Sequence, residues 1–319
     1  MRILTGIQPS GKLHWGNYFG AMKSMFDLQE KGENFMFIAN FHAMTTVRDG
    51  ATLRESTREV ALDYLACGLD PAKTIMYRQS DVPEVQELAW YLSCLTPMGL
   101  LERCHSYKDK MAHGFEATHG LFAYPVLMAA DILIMNSDLV PVGKDQKQHL
   151  EVTRDLAQKF NNAFGEIFKL PDAYIPGTVA TIPGTDGQKM SKSYHNTIEL
   201  FEAPGSIKKK VMAIVTDSKT MEEPKEPEGN SIYELYKLFA TPAEVEEMAN
   251  SFRAGNYGYG HAKKALLAAY HRLFDPMREK REALSQDVDT LEDILREGAK
   301  KARQAAAATM DKVRASVGV

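Results

Sequence analysis

Cysteine is scarce in this chain: three residues in 319, Cys67, Cys94 and Cys104, with no Cys-x-x-Cys pair. An odd, widely spaced set excludes a disulfide framework and points to a reducing compartment. It also leaves zinc and iron–sulfur sites without local support, and no metal-ligating cluster is expected. No stretch approaches the roughly 18 apolar residues of a membrane span. The opening MRILTGIQPSGKLHWG lacks the apolar run of a signal peptide, so the expectation is a cytoplasmic protein with no membrane partner. Excess positive charge is missing too. The net charge is −4, so any nucleic-acid contact must come from local basic patches.

What remains is ordinary globular composition, 44% hydrophobic and 25% charged. Up to about residue 190, short β-rich runs alternate with helical patterns. Strands are expected at Arg2–Ile7, Asn34–Ala39, Thr74–Tyr77, Leu139–Val142 and Val179–Ile182. Helices are expected at Thr52–Cys67 (stopped by Gly68), Val82–Leu95, Leu121–Met135 and Lys144–Phe160. Such alternation predicts an α/β fold with a Rossmann-like parallel sheet, whose ligands bind at the carboxyl ends of the strands. Strands become rare after residue 190. Ile198–Phe201, Ile207–Ile214, Ser231–Phe239, Pro242–Arg253 and Ala262–Leu273 read as helical or connecting pieces, Met221–Asn230 as a loop, and Thr290–Val313 as one long helix.

Two loops carry chemistry. Thr5–Asn17 leaves a strand, turns through glycines and enters a helix, so backbone N–H groups and a positive helix end converge where phosphate binds well. Gly16 allows close backbone approach; His14 and Asn17 add side-chain donors. A plain tight turn explains the same pattern about equally. The second loop, Gly184–Ser193, holds Lys189 and Lys192 three apart. Two ammonium groups on a mobile loop suit a pyrophosphate leaving group. A bare K-x-x-K is usually surface charge; the string KMSKS is far more specific.

Asp131 is the third signal. It interrupts an otherwise apolar helix, LFAYPVLMAADILIM, where a carboxylate is costly unless paired. Met128, three residues earlier, shares its helical face and suits an aromatic ring. Pairing of Asp131 to another group of the protein is the alternative.

The pair His14-Trp15-Gly16-Asn17 and Lys189-Met190-Ser191-Lys192-Ser193 resembles the HIGH and KMSKS motifs of class I aminoacyl-tRNA synthetases. The segments TGIQPSG (5–11), FHAMT (41–45), QSDVP (79–83), YPVLMAADIL (124–133) and PVGKDQKQHLEVTRD (141–155) look like those of the tryptophanyl-tRNA synthetase family, and Gly258-Tyr259-Gly260 is similar to a motif of its helical domain. The resemblance implies a two-step reaction. Tryptophan attacks the α-phosphate of ATP, and the tryptophanyl group then passes to the 3′ end of tRNA(Trp). Magnesium accompanies ATP. It also implies a catalytic domain over 1–188, a C-terminal helix (about 290–319) packing back on it, and an all-α domain over 189–289 that carries the KMSKS loop and reads the anticodon. A homodimer is implied.

Residue by residue, the resemblance puts Gln8, Pro9, Ser10, Gly16 and Asn17 at ATP, with Gln8 also near the reacting carboxylate and His14 in the catalytic set. Gly143, Lys144 and Asp145 approach the adenosine, and Ile182 packs on adenine. Lys189, Met190, Ser191, Lys192 and Ser193 form the phosphate loop, with Lys110 a further phosphate contact or a solvated charge. Asp131 and Met128 grip the indole, with Tyr124, Leu4, Gly6, Val140 and Val142 around it. His42 and Gln146 are candidates for the substrate's ammonium and carboxylate end. His105, His113, His119 and His195 read as surface or packing residues.

The chain departs from the family in three places. Tyr194-His195-Asn196 follows KMSKS where Asp is common, Lys144 stands where Glu is frequent, and Trp15 fills the variable position of the first motif. The iron–sulfur cluster of some relatives has no cysteines here to hold it. Three other readings stay open: a tyrosyl-tRNA synthetase, a small-cofactor nucleotidyltransferase and a non-catalytic RNA-binding paralogue. Lys208-Lys209-Lys210 and Arg278/Lys280/Arg281 are basic clusters in the helical region, without an assigned role.

Overall fold

The computed structural model describes residues 1–104, 114, 116–143, 146–175 and 181–319. The chain forms two compact units. The first comprises Met1–Gly11, Met25–Pro176 and Asp287–Val319; the second comprises Lys12–Ser24 and Gly177–Gln286. Lys12–Ser24 therefore groups with the second unit although it interrupts the first in sequence.

The first unit is built on five parallel strands: β1 (Arg2–Ile7), β2 (Glu33–Ile38), β3 (Thr74–Arg78), β4 (Leu139–Pro141) and β5 (Asp172–Tyr174). Their order in the sheet is β3-β2-β1-β4-β5. Five consecutive buried positions in β2 show a strand covered on both faces, the reason it reads as a continuous apolar run rather than an alternation. β5 was not expected. It is short, polar and edge-placed, paired through Val140 and Ala173 to β4 alone. The strand expected at Val179–Ile182 begins among residues outside the described set, and Thr181 and Ile182 stand in no strand.

Helix ends follow local chemistry. Gly50–Cys67 starts where the Asp49 carboxylate accepts from the Thr52 N–H and stops at Gly68, whose φ of 126° suits glycine. The helices Glu84–Leu95, His119–Ile134 and Lys147–Phe164 pack on one another over a core of Leu88, Leu92, Val126, Ala129, Leu133, Leu156 and Phe160. The C-terminal helix Val288–Val317 lies on β3. Gly298 makes this approach possible, because a Cβ there would sit 1.8 Å from the Met76 carbonyl oxygen. Gly298→Ala should therefore cost about 3 kcal/mol of stability by forced overpacking. Urea unfolding would show this as a lower midpoint at unchanged slope; an unchanged midpoint would contradict it.

The second unit is helical, with Pro204–Met212, Ser231–Phe239, Pro242–Ala254 and Tyr259–Gln286 as its longer helices. Its centre is aromatic. Trp15 is fully buried, stacked 5.4 Å from Tyr270 and edge-on to Phe239 at 4.8 Å. Tyr18 meets Phe274 at 5.0 Å. The helix expected over Ala262–Leu273 runs on to Gln286, passing Pro276. Met221–Asn230 is a loop, as its prolines predict, but not an open one. Lys225 is only 1% exposed, and its ammonium donates to the carbonyls of Thr220, Met221 and Glu223. Three acceptors satisfy the three ammonium protons, which is what burying a lysine requires.

Candidate functional site

The candidate residues fall into two groups, one in each unit. The first gathers at the carboxyl ends of β2 and β3. Ile38 hands over to the short helix Asn40–Ala43, and Arg78 to a single tight turn, Gln79–Asp81. Asn40 and Ser80 tie these turns together, Asn40 Nδ2 donating to Ser80 Oγ at 2.8 Å and Ser80 N–H to Asn40 Oδ1 at 3.0 Å. Gln79, 1% exposed, is fixed from both ends. Its Oε1 accepts from the Phe41 and His42 N–H groups, and its Nε2 donates to both Asp131 oxygens at 2.9 Å.

Asp131 is thus paired within the protein. Beyond Gln79, His42 Nε2 stands 2.8 Å from its Oδ2. Burial raises the Asp131 carboxyl above the ordinary aspartate range, with the His42 and Gln79 hydrogen bonds pulling it back down. Burial and the Asp131 charge push the neighbouring Tyr77 hydroxyl up as well. A carboxylate accepts about four hydrogen bonds, so three from His42 and Gln79 leave capacity for one more donor. His42 is placed here as a partner of Asp131.

The other residues expected around Asp131 belong to the same unit. Leu4, Val140 and Val142 are buried and Met128 packs partly buried against the same core. A Cβ at Gly6 would lie 2.5 Å from Phe37 Cζ, so the absence of a side chain is what seats the Phe37 ring. Tyr124 OH lies 2.5 Å from His149 Nε2 and its ring meets the His42 ring edge-on at 6.3 Å. Gln146 begins the Lys147–Phe164 helix, its N–H bonded to the Gly143 carbonyl at 3.0 Å. Gln8 and Ser10 are exposed and Pro9 is buried, with Ser10 N–H closing a turn on the Gln8 carbonyl at 2.9 Å. Lys110, Lys144 and Asp145 lie outside the described residues.

In the second unit the two signature loops meet. Residues 13–15 run antiparallel to 198–200: Leu200 N–H donates to Leu13 O at 2.9 Å and Trp15 N–H to Ile198 O at 3.0 Å. Segment 198–201 is thus the partner of the first loop rather than a helical piece. Gly16 N–H points at Met190 Sδ, 3.4 Å away, although the residues are 174 apart in sequence. Asn17 Oδ1 accepts from the His14 N–H at 3.0 Å.

Asn196 organises the lysine loop. It is 2% exposed; its Oδ1 accepts from Ser191 N–H at 2.8 Å, and its Nδ2 donates to Asp186 Oδ1 at 2.7 Å and Lys189 O at 3.0 Å. A Cβ at Gly184 would collide with its amide at 2.4 Å. The departure Tyr194-His195-Asn196 therefore supplies a buried clamp beneath the loop, with His195 in a left-handed turn at φ 52°. Lys189, Lys192 and Ser193 stay exposed above it, Ser191 is partly buried, and Met190 and Ile182 are buried. Ile182 O accepts from Met190 N–H at 2.8 Å.

Charge within this group is coupled. Partial desolvation holds the Lys192 ammonium below the ordinary lysine range, with Glu199 pulling it back up. Burial and the Lys192 charge push His14 down to about 4 from 6.5. His14 is accordingly neutral at pH 7. The unfolded chain takes up a proton near 6.5 that the folded chain refuses until about 4. Stability should therefore decline as pH falls through that window. Urea unfolding of His14→Gln and of the parent chain at pH 7 and pH 5 should give the parent the larger acid loss.

Sequence reasoning missed Gln79, Asn196 and Glu199. Gln79 opens the quoted QSDVP segment, so its place was visible but its role was not. The other two follow the lysine motif.

A loop pair of this kind and a five-stranded parallel sheet mark the class I tRNA synthetases. The family model for the tryptophan and tyrosine members of that class, described as tRNA synthetases class I (W and Y), matches residues 1–275. The tryptophan–tRNA ligase of Rhodopirellula baltica is 57% identical over the whole of both chains. That of Fusobacterium nucleatum is 55% identical over all of this chain and 98% of its own. The crystal structure of tryptophanyl-tRNA synthetase from Campylobacter jejuni, complexed with ADP and tryptophan, superposes with a TM-score of 0.97 at 51% identity, covering both chains fully. This chain belongs to the tryptophanyl-tRNA synthetase family.

Proposed function

We propose that the chain activates L-tryptophan with ATP, forming tryptophanyl-adenylate and pyrophosphate, and then transfers tryptophan to the 3′ end of tRNA(Trp). The observation that carries the reading is the meeting of the two signature loops, Gly16 N–H on Met190 Sδ, with Lys192 acting on His14. One segment brings the Gly16 N–H, held only on a weakly accepting thioether, and the other offers ammonium groups, a combination that suits an ATP polyphosphate.

The roles divide as follows. Lys189, Ser191 and Lys192 hold the phosphates and stabilise charge as pyrophosphate departs. His14, Gly16 and Asn17 form the other side of that grip, with neutral His14 donating rather than contributing charge. Gln8, Pro9, Ser10, Gly143 and Ile182 bound the rest of the nucleotide. Asp131 accepts from the indole N–H while His42 and Gln79 hold it in place; Met128, Tyr124, Leu4, Gly6, Val140 and Val142 shape the surround. Gln146 faces the substrate's charged end. Magnesium would come with ATP on its phosphates; among the described residues no cluster of three His, Cys, Asp or Glu forms a site of its own.

Four further points rest on family likeness. The helical unit reads the anticodon, the enzyme works as a homodimer, tRNA(Trp) is its nucleic-acid partner, and the cytoplasm is its place of work. Among the described residues no helix is long and apolar enough to cross a membrane.

ATP–pyrophosphate exchange driven by each amino acid in turn is the decisive test. Exchange with tryptophan, and none with tyrosine, is expected; exchange with tyrosine alone would replace this reading with the tyrosyl one. Charging of tRNA(Trp) tests the second step, and sedimentation equilibrium tests the dimer.

A further inference from the structure

Glu199 stands where an anion is unexpected. Its backbone bridges to His14 in the short ladder between residues 13–15 and 198–200, so the fold fixes it beside the first loop. Its N–H is spent on Glu202 Oε1 at 2.9 Å, which keeps that backbone in place. The side chain is 29% exposed, and its Oε2 lies 3.5 Å from Lys12 Nζ. The same carboxylate acts on Lys192. Lys12 of the first loop therefore pairs with this carboxylate directly and Lys192 of the second lies within reach of its charge, in the group of residues that is to receive a polyphosphate.

A carboxylate beside a phosphate costs energy unless cations stand between them. Two lysines brought together without any anion also repel each other. Glu199 answers the second problem and creates the first, which suits a group that works before the nucleotide arrives. We propose that Glu199 is a resident counter-ion: in the free enzyme it pairs with Lys12 and offsets the charge of Lys192, it competes with the phosphates of ATP for these ammonium groups, and it yields them when ATP binds. The proposal rests on the reading that Lys192 holds those phosphates. It adds Lys12, to which no role has been given, as a second cation for them. An ion pair of this exposure contributes only about 0.2–1 kcal/mol, so the polyphosphate can displace it readily.

ATP–pyrophosphate exchange on the full-length enzyme tests this, with KM for ATP, pyrophosphate and tryptophan measured separately from kcat. Glu199→Gln removes the competing charge at constant shape. It should lower KM for ATP and for pyrophosphate by about 1.4- to five-fold, the size of the lost competition, and leave KM for tryptophan unchanged. Glu199→Asp, which restores the charge, should return both constants towards the parent values. Lys12→Met should raise them. A residue that merely pinned the ladder would move them the other way or not at all. Raised or unchanged constants in Glu199→Gln, at an unchanged thermal unfolding temperature, would overturn the proposal. Lys192→Met separates the two levels: normal exchange in that variant would remove the phosphate reading itself, whatever Glu199→Gln does.

Discussion

Replacing Asp131 with asparagine is expected to lower kcat/KM for tryptophan by about 10²–10³-fold, the combined cost of a lost charged hydrogen bond and of buried donors left poorly paired. The environment sets that size. Asp131 is 3% exposed and takes hydrogen bonds from His42 and both ways from Gln79. Asparagine keeps the volume but replaces one acceptor oxygen with an NH₂ donor. The Gln79 amide then faces another donor, and the indole N–H loses the ionic acceptor proposed for it. KM for ATP should move little, because the residues assigned to the phosphates belong to the other group. Pyrophosphate exchange with tryptophan and ATP varied separately would measure both. A similar loss in both constants would indicate general collapse instead of a lost contact.

The same carboxylate predicts a pH dependence whose sign is fixed. Burial raises its folded pKa, so on acidification it takes up its proton at a higher pH than an ordinary aspartate. The protonated form offers the indole a weaker acceptor. KM for tryptophan should therefore rise on the acid side before any ordinary carboxylate titrates. In Asp131→Asn that limb should vanish. Sites built around a substrate hydrogen bond reject analogues that lack the donor by up to about 10⁴–10⁵. Phenylalanine, with no ring N–H, should consequently fail as a substrate by a wider margin than its smaller ring alone would give.

Lys192→Met should reduce the rate of adenylate formation by about 10²–10³-fold, the usual cost of removing one preorganised donor from a developing charge. The effect should fall on kcat more than on KM for tryptophan, since the proposed role of the ammonium is to act on phosphate as the bond to the leaving group breaks. Partial desolvation and Glu199 already tune this lysine in the free enzyme. Pre-steady-state formation of adenylate, followed by pyrophosphate release, is the direct measurement. A normal rate there would dismiss Lys192 from the chemistry, and would do so independently of the outcome at Asp131. Thermal unfolding should be unchanged, because the side chain is exposed and the Asn196 clamp beneath it is untouched.

How much was legible in the sequence varied with the range of the interactions. β1 to β3 are nearly where their apolar residues predict, and β2 most plainly, because a strand buried on both faces needs a near-continuous apolar string. The Gly50–Cys67 helix ends at Gly68 for a local reason, and the Pro242–Ala254 helix begins for one at Thr241, whose hydroxyl and Glu244 cap each other. β5 was invisible because Asp172–Tyr174 is polar and three residues long, and becomes a strand only by pairing with β4. The helix expected over Ala262–Leu273 runs instead from Tyr259 to Gln286, through Pro276. Asp131 was legible as a lone carboxylate in an apolar helix, and its cost of burial could be argued at once. Gln79 was not: a neutral amide after a strand is normally exposed, and only the fold buries it between His42 and Asp131.

By itself the sequence determined the two signature loops, the alternation that makes a parallel sheet, and the one carboxylate in an apolar helix. These depend on residue type and on spacings within one turn or one strand. The tertiary structure alone decided that Lys12–Ser24 belongs with residues 177–286, that Gly16 meets Met190, and that Asp131 is held by His42 and Gln79. The reason is physical: those outcomes are hydrogen bonds between segments far apart in the chain. No local pattern encodes such partners, because each donor or acceptor could be satisfied equally well by water until packing excludes it.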